Sequence, residues 1–212
     1  MKEVCIAADC TDEANWFDAN DPDTPYPTGY VGLTLAQYRL TVENTGEEPL
    51  ENVTITDGEL GLAGVALPAG CYPFEPGDIC EIDSGDLNFG VLGDFGVCQN
   101  PGVFRNEACT NGTGVFSQAL AGEKCDEANV DCRQPAISII KRVQDPDTLV
   151  WEDANSPPGV LYPTGATVRY QLYVCNEGDV ALEDVYVEDP ALGIGQSLIG
   201  ALAVGECKTL EQ

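Results

Sequence analysis

Residues 41–61, TVENTGEEPLENVTITDGELG, align without a gap to residues 173–193, YVCNEGDVALEDVYVEDPALG, at a constant offset of 132. The matched positions include Val42/Val174, Asn44/Asn176, Gly46/Gly178, Leu50/Leu182, Val53/Val185, Ile55/Val187 and Asp57/Asp189. Upstream, Trp16-Phe-Asp-Ala-Asn matches Trp151-Glu-Asp-Ala-Asn, and Tyr26-Pro-Thr-Gly matches Tyr162-Pro-Thr-Gly. A chain that repeats itself at this spacing folds as two related units, and tandem units of this kind span distance or present surface. Each is large enough to bury a modest core of its own.

Periodicity assigns the units to the β class. Leu33–Val42 and Val168–Val174 alternate apolar and polar residues, as a half-buried strand does. Asn44-Thr-Gly and Asn176-Glu-Gly supply turns, and the next strands place Val53 with Ile55, and Val185 with Val187, on one face. No segment carries a helical stripe, and 23 glycines and 14 prolines punctuate the chain. The expectation is an all-β chain of two tandem antiparallel β-sandwiches with Greek-key connections, divided near Gln134-Pro135 into residues 1–133 and 134–212. Ala136–Val143 opens the second unit, in the place of Lys2–Ala7 in the first, and Phe104–Thr110 reads as the first unit's closing strand.

The second unit has no counterpart of that closing strand. Pro76-Gly-Asp-Ile-Cys-Glu-Ile aligns, with one residue skipped, to Val204-Gly-Glu-Cys-Lys-Thr-Leu, close to the last residue. A sandwich short of one strand exposes backbone groups and apolar side chains that another chain can cover. Either a neighbouring copy donates the strand or the chain continues beyond Gln212. For donation, Met1–Ala8 offers Val4, Ile6 and Ala8 on one face, though it serves equally as the first strand of its own sandwich. Val115–Leu120 is the other candidate.

The formal charge is −27, from 36 acidic and nine basic residues. Nucleic acid and anionic membrane would be repelled, so neither is an expected partner. No stretch reaches the length of a membrane span, and residues 1–20 lack the apolar run of a signal peptide. Ten cysteines point to disulfides and an oxidising, extracellular or cell-surface setting. The numbering is therefore read as starting after processing, or as part of a longer chain. Spacing favours local pairs: Cys5 with Cys10, Cys71 with Cys80, Cys98 with Cys109, Cys125 with Cys132, and Cys175 with Cys207 across two strands. Zinc is disfavoured, because no Cys-x-x-Cys occurs and histidine is absent.

The absence of histidine also removes Ser-His-Asp and Cys-His catalysis, so no enzyme and no required cofactor are expected. Asp21 and Asp23, as a carboxylate pair, read better as a solvated proline-rich loop than as glycosidase acids. Two acidic clusters read either as calcium ligands or as unliganded turn aspartates. Asp18, Asp21 and Asp23 precede the first unit's hairpin, and Asp145, Asp147 and Asp153, with Glu152, cluster at the matching place in the second. Asn52-Val-Thr and Asn111-Gly-Thr match the glycosylation sequon. Lys141, early in the second unit's first strand, has the amine for an isopeptide crosslink, with no acceptor evident.

The pattern Tyr-Pro-Thr-Gly, alternating strand, Asn-x-Gly-x-x-x-Leu-x-(Asn/Asp)-Val-x-(Ile/Val)-x-Asp resembles the Ig-like repeat domains of prokaryotic cell-surface proteins. Asn44, Gly46, Leu50, Asn52, Val53, Ile55 and Asp57 carry it in the first unit. Asn176, Gly178, Leu182, Asp184, Val185, Val187 and Asp189 carry it in the second. That resemblance implies tandem Ig-like sandwiches in an adhesin, stalk or surface fibre. The extra cysteines and the missing last strand depart from such repeats and favour a fibre subunit that polymerises with copies of itself. The alternative is an adhesin or stalk fragment that binds glycan or protein.

Overall fold

The structure is a computed structural model that describes residues 1–20 and 26–212. It is all-β, and two compact units divide at Arg133/Gln134. The first unit contains β1 (Lys2–Cys5), β2 (Thr28–Tyr30), β3 (Leu35–Glu43), β4 (Leu50–Asp57), β5 (Leu62–Ala66) and β6 (Ile79–Ile82). It continues with β7 (Phe95–Gly96), β8 (Gly102–Phe104), β9 (Glu107–Gly114), β10 (Lys124–Glu127) and β11 (Val130–Arg133). One sheet runs β1-β3-β6, with β7 also on β3; a second runs β10-β9-β4-β5; a third, small one runs β2-β11-β8. Alternation along β3 buries Ala36, Tyr38, Leu40 and Val42, which meet Val53 and Ile55 of β4 in one core.

The second unit comprises β12 (Ile137–Gln144), β13 (Trp151–Glu152), β14 (Tyr170–Asn176), β15 (Leu182–Asp189), β16 (Ile194–Leu202) and β17 (Cys207–Glu211). Its sheets are β13-β12-β14-β17 and the two-stranded β15-β16. Only six buried residues form its core: Leu172, Val174, Val185, Val187, Ile194 and Leu202.

The repeated Asn-x-Gly has one physical explanation in both units. Asn44 is 1% exposed; its amide donates to the Glu48 carbonyl at 3.0 Å and the Phe74 carbonyl at 2.9 Å, and its Oδ1 accepts from Gly46 N–H at 3.0 Å. Asn176, also 1% exposed, donates to Val180 and Leu202 carbonyls at 2.8 and 3.1 Å and accepts from Gly178 N–H at 3.0 Å. Each asparagine thus ties the β3 or β14 turn to a segment distant in sequence, and a buried amide with these bonds satisfied specifies one turn geometry. At Gly178 any side chain would collide with backbone, since a Cβ there would lie 2.4 Å from the Ala136 nitrogen.

All ten cysteines are paired. Cys5–Cys10, Cys71–Cys80 and Cys175–Cys207 form as spacing indicated, but the other four pair differently: Cys98 with Cys132 and Cys109 with Cys125. The expected Cys98–Cys109 and Cys125–Cys132 pairs fail because pairing follows strand register. Cys109 and Cys125 lie directly opposite each other on β9 and β10. Cys132 lies on β11, whose β2 neighbour leads to Gly32, hydrogen-bonded to the Cys98 carbonyl at 2.9 Å.

The N-terminal segment is also corrected. β1 pairs with β3 from Lys2↔Leu40 to Cys5↔Gln37, and Val4 is fully buried in the first unit's own core. Ile6 packs partly against that core while Ala8 is exposed, so Val4, Ile6 and Ala8 are not a free donor face.

Non-reducing peptide mapping should recover Cys98–Cys132 and Cys109–Cys125 as linked fragments. Replacing Cys98 and Cys132 together by serine should lower unfolding free energy by about 2–4 kcal/mol, read from denaturant midpoints.

Candidate functional site

The two units differ most along one flank. In the first, β9 pairs antiparallel along β4, from Leu50↔Gly114 to Asp57↔Ala108, and β10 extends the same sheet. β10 also reaches β1, where Lys2 N–H donates to Asp126 Oδ2 at 2.6 Å. This hairpin closes the sandwich on that side. The side chains that β9 turns inward are small: Ala108, Thr110, Gly112 and Gly114. At Gly112 a Cβ would come within 2.9 Å of Val53 Cγ2, so the approach of β9 to β4 demands a minimal residue there.

In the second unit β15 occupies the place of β4, at the offset of the repeat, and pairs on one side with β16. Among the described residues no strand pairs with its other edge. The consequence shows on β12. Ile137 and Ile139 stand opposite Asn176 and Val174 in the β12–β14 ladder, and directly opposed residues share a face. Asn176 and Val174 are 1% and 2% exposed, whereas Ile137 and Ile139 on that inward face are 56% and 58% exposed. Two inward isoleucines and one unpaired strand edge therefore border the same uncovered flank.

A local distortion is kept in both units. Asn52 has φ 53° and Asp184, its counterpart, φ 50°, a left-handed conformation that Asn and Asp tolerate best. In the first unit it coincides with a one-residue shift in the β4–β9 register between Glu51 and Thr54, a β-bulge. In the second unit it coincides with a one-residue shift in the β15–β16 register between Leu182 and Val185.

A charged pair recurs on the same flank. Lys2 stands opposite Leu40 and Lys141 opposite Leu172, which are matched positions. Lys2 Nζ lies 2.5 Å from Asp57 Oδ2, with both side chains 0% exposed. Lys141 Nζ lies 2.5 Å from Asp189 Oδ2, with 41% and 14% exposed. In each case the lysine also sits over a matched tyrosine ring, Tyr38 at 5.0 Å and Tyr170 at 4.8 Å. Burial pulls the Lys2 ammonium down to about 8, against the attraction of Asp57, Asp126 and Glu107. The hydrogen bond from Lys141 holds the Asp189 carboxyl below its ordinary value.

The residues named for calcium divide. Asp21 and Asp23 lie outside the described residues. Asp18 sits at the surface near like charges; desolvation, then Asp126 and Glu3, push its carboxyl up. Asp145, Asp147 and Asp153 line one open concavity with Glu152. Asp145 Oδ1 accepts from the backbone N–H of Thr148 at 2.8 Å and of Asp147 at 2.9 Å, the work of a turn aspartate. Among the described residues, Glu107, Cys109 and Cys125 alone form a trio with ligand atoms within 4.8 Å, and both sulfurs belong to one disulfide, leaving no thiolate for a metal.

Of the two sequons, Asn52 is exposed but holds the bulge, and Asn111 is partly buried on β9, its Oδ1 accepting from Gly112 N–H at 2.8 Å. In the sequence Lys141 has no evident acceptor, and the match of Asp57 with Asp189 names no partner for either. The missing signal was the opening-strand lysine, whose spacing from the repeat motif differs between the units: Lys2 precedes Tyr38 by 36 residues and Lys141 precedes Tyr170 by 29.

No protein-family model, curated protein or solved structure matches the chain. No helix among the described residues is long and apolar enough to cross a membrane, and the five disulfides fit an oxidising, extracellular-type environment.

Because the Asp189 carboxyl is held low in the folded state, its contribution to stability is present above the unfolded aspartate value and disappears as pH falls through the folded one. A carboxyl-carbon NMR titration should place its midpoint below 3.8, and Lys141→Met should raise that midpoint.

Proposed function

We propose that this chain is a structural subunit of an extracellular prokaryotic filament that assembles head-to-tail by β-strand donation. The observation that carries this reading is the free edge of β15, flanked by Ile137 and Ile139 facing inward and more than half exposed. Pairing a strand there satisfies backbone groups and removes apolar surface from water at once, the two sources of affinity in β-augmentation. The first unit shows what a suitable strand looks like: β9, extended, with small residues turned inward. The resemblance to Ig-like repeats of prokaryotic surface proteins, common in stalks and fibres, supports the same reading.

A contact in which one end of a subunit fills a slot at the other end is heterologous and propagates as an open fibre. β1 is committed to its own sandwich, which leaves Val115–Leu120 of a neighbouring copy as the donor. Within its own unit that segment is a turn, with Leu120 bridged to Thr113 and the Phe116 and Ser117 N–H groups donating to Glu48 Oε2 at 2.8 and 2.9 Å, so it must leave that turn to extend. There Phe116 and Leu120 are 78% and 75% exposed. Subunits carrying −27 repel one another, so assembly should quicken as ionic strength rises.

Electron microscopy of the purified chain at increasing salt should show filaments of uniform repeat. Hydrogen exchange at β15 should slow as they form. A synthetic peptide of residues 107–114, or the pair Phe116→Ser and Leu120→Ser, should keep the chain short. A chain that remains monomeric by sedimentation at every concentration and salt overturns the proposal. Retention of such a monomer on a glycan array would assign it to the adhesin class.

A further inference from the structure

From the burial and geometry of the Lys2–Asp57 pair, we infer that Lys2 Nζ and Asp57 Cγ condense to an intramolecular amide that covalently joins β1 to β4, and so the two larger sheets of the first unit. The inference is independent of filament assembly.

An ammonium and a carboxylate fully withdrawn from water lose their hydration, and attraction between them only partly restores it. Proton transfer from Nζ to the carboxylate, giving amine and acid, relieves that penalty. The same neutral forms are the reactive ones, since an amine needs its lone pair and a carboxylic acid accepts a nucleophile better than a carboxylate.

The surrounding groups match the needs of the step. The Nζ–Oδ2 separation of 2.5 Å fixes amine and carboxyl in contact, where proximity replaces concentration. Asp57 Oδ1, the other oxygen, accepts from the Leu60 backbone N–H at 3.0 Å. That donor is placed to hold the negative charge Oδ1 acquires when nitrogen attacks Cγ. Asp126 and Glu107 are the further carboxylates that act on the Lys2 charge. The Tyr38 ring lies 5.0 Å from Nζ and keeps water off one side.

The balance is closed. Nζ gives one proton to Oδ2 and attacks Cγ, forming the C–N bond. The nitrogen then gives a second proton to Oδ2, which lies against it, the Cγ–Oδ2 bond breaks, and Oδ2 departs as water carrying both protons. An ammonium and a carboxylate become one amide and one water, with no change of oxidation state and no co-reactant. Leaving water from a site with no exposure to solvent favours the amide over its hydrolysis.

The second unit supplies an internal control. Asp189 Oδ1 accepts from Leu192 N–H at 3.3 Å, and Lys141 lies 2.5 Å from Oδ2, so the arrangement is the same. But Lys141 is 41% exposed, hydrated, and stays an ion pair.

The test is intact mass of the full chain after complete disulfide reduction. The expected mass is short by one water, about 18 Da, the yield of one amide condensation. Fragmentation should reveal a branched peptide joining residues 2 and 57, absent in Lys2→Arg and in Asp57→Ala. A full, undiminished mass overturns the inference. So does a deficit that survives Lys2→Arg, which would mark a cyclised Asp57-Gly58. So does a deficit of two waters with a second branch at Lys141 in chain kept monomeric, where that lysine is 41% exposed, which would show that burial is not what selects the pair. Because the unaltered chain gives the primary reading, a variant that fails to fold leaves the result intact.

Discussion

A sandwich with an uncovered flank must leave either backbone groups unpaired or apolar side chains wet, and the difference in burial between the two units follows from which of them has that flank closed. In the first, β9 satisfies the edge of β4, and the β9–β10 hairpin seals the gap towards β1. Lys2, Asp57, Val53 and Ile55 are then almost wholly withdrawn from solvent. In the second, β15 keeps the same bulge and the same inward valines, yet the flank is open and the isoleucines of β12 are wet. The core shrinks accordingly to six buried residues, and Cys175–Cys207 lies directly across the β14–β17 pair beside it. A cross-strand staple of this kind restricts the unfolded chain and helps a thin core hold.

What the sequence made legible was the information carried by local periodicity and by the repeat. Alternation at Leu35–Glu43 and Tyr170–Asn176 marked β3 and β14, and the offset fixed which strands correspond. The free edge of β15 was readable too, because Phe104–Thr110 overlaps β9 and residues 134–212 contain no match to it. Three things were not readable. Disulfide partners depend on which strands lie side by side, and spacing in sequence favoured nearest neighbours over Cys98–Cys132 and Cys109–Cys125. The Lys–Asp pairs depend on contact between two sheets. And Tyr-Pro-Thr-Gly, identical in both copies, is not one structure: Thr28–Tyr30 runs parallel to β11, while Thr164–Gly165 lies in a turn. In the first copy β11 provides a partner; the second unit contains no such strand among its described residues. The motif records shared descent of the units more than a shared fold at that position.

The Asn-x-Gly turn makes the opposite case. Asn44 and Asn176 make equivalent bonds to different residue types, Glu48 and Phe74 in one unit and Val180 and Leu202 in the other. Only backbone carbonyls accept from the amide, so the side chains at those positions are free to change while the turn is not. A polar side chain bonding to backbone is conserved by geometry, and this is why the motif stands out between copies that otherwise diverge.

Exposure of the lysine follows the same logic of coverage. Lys2 and Lys141 occupy one structural position, opposite Leu40 and Leu172, and reach matched aspartates at the same 2.5 Å. What separates 0% from 41% exposure is the hairpin that passes beside Lys2 and has no equivalent beside Lys141. A strand seated on β15 would pass the second pair much as β9 and β10 pass the first, stripping water from Lys141 and Asp189. Backbone pairing at an edge and the chemistry of a buried ion pair are then not separate features of this fold. Closing the flank controls both, and in the first unit the chain closes it with its own residues.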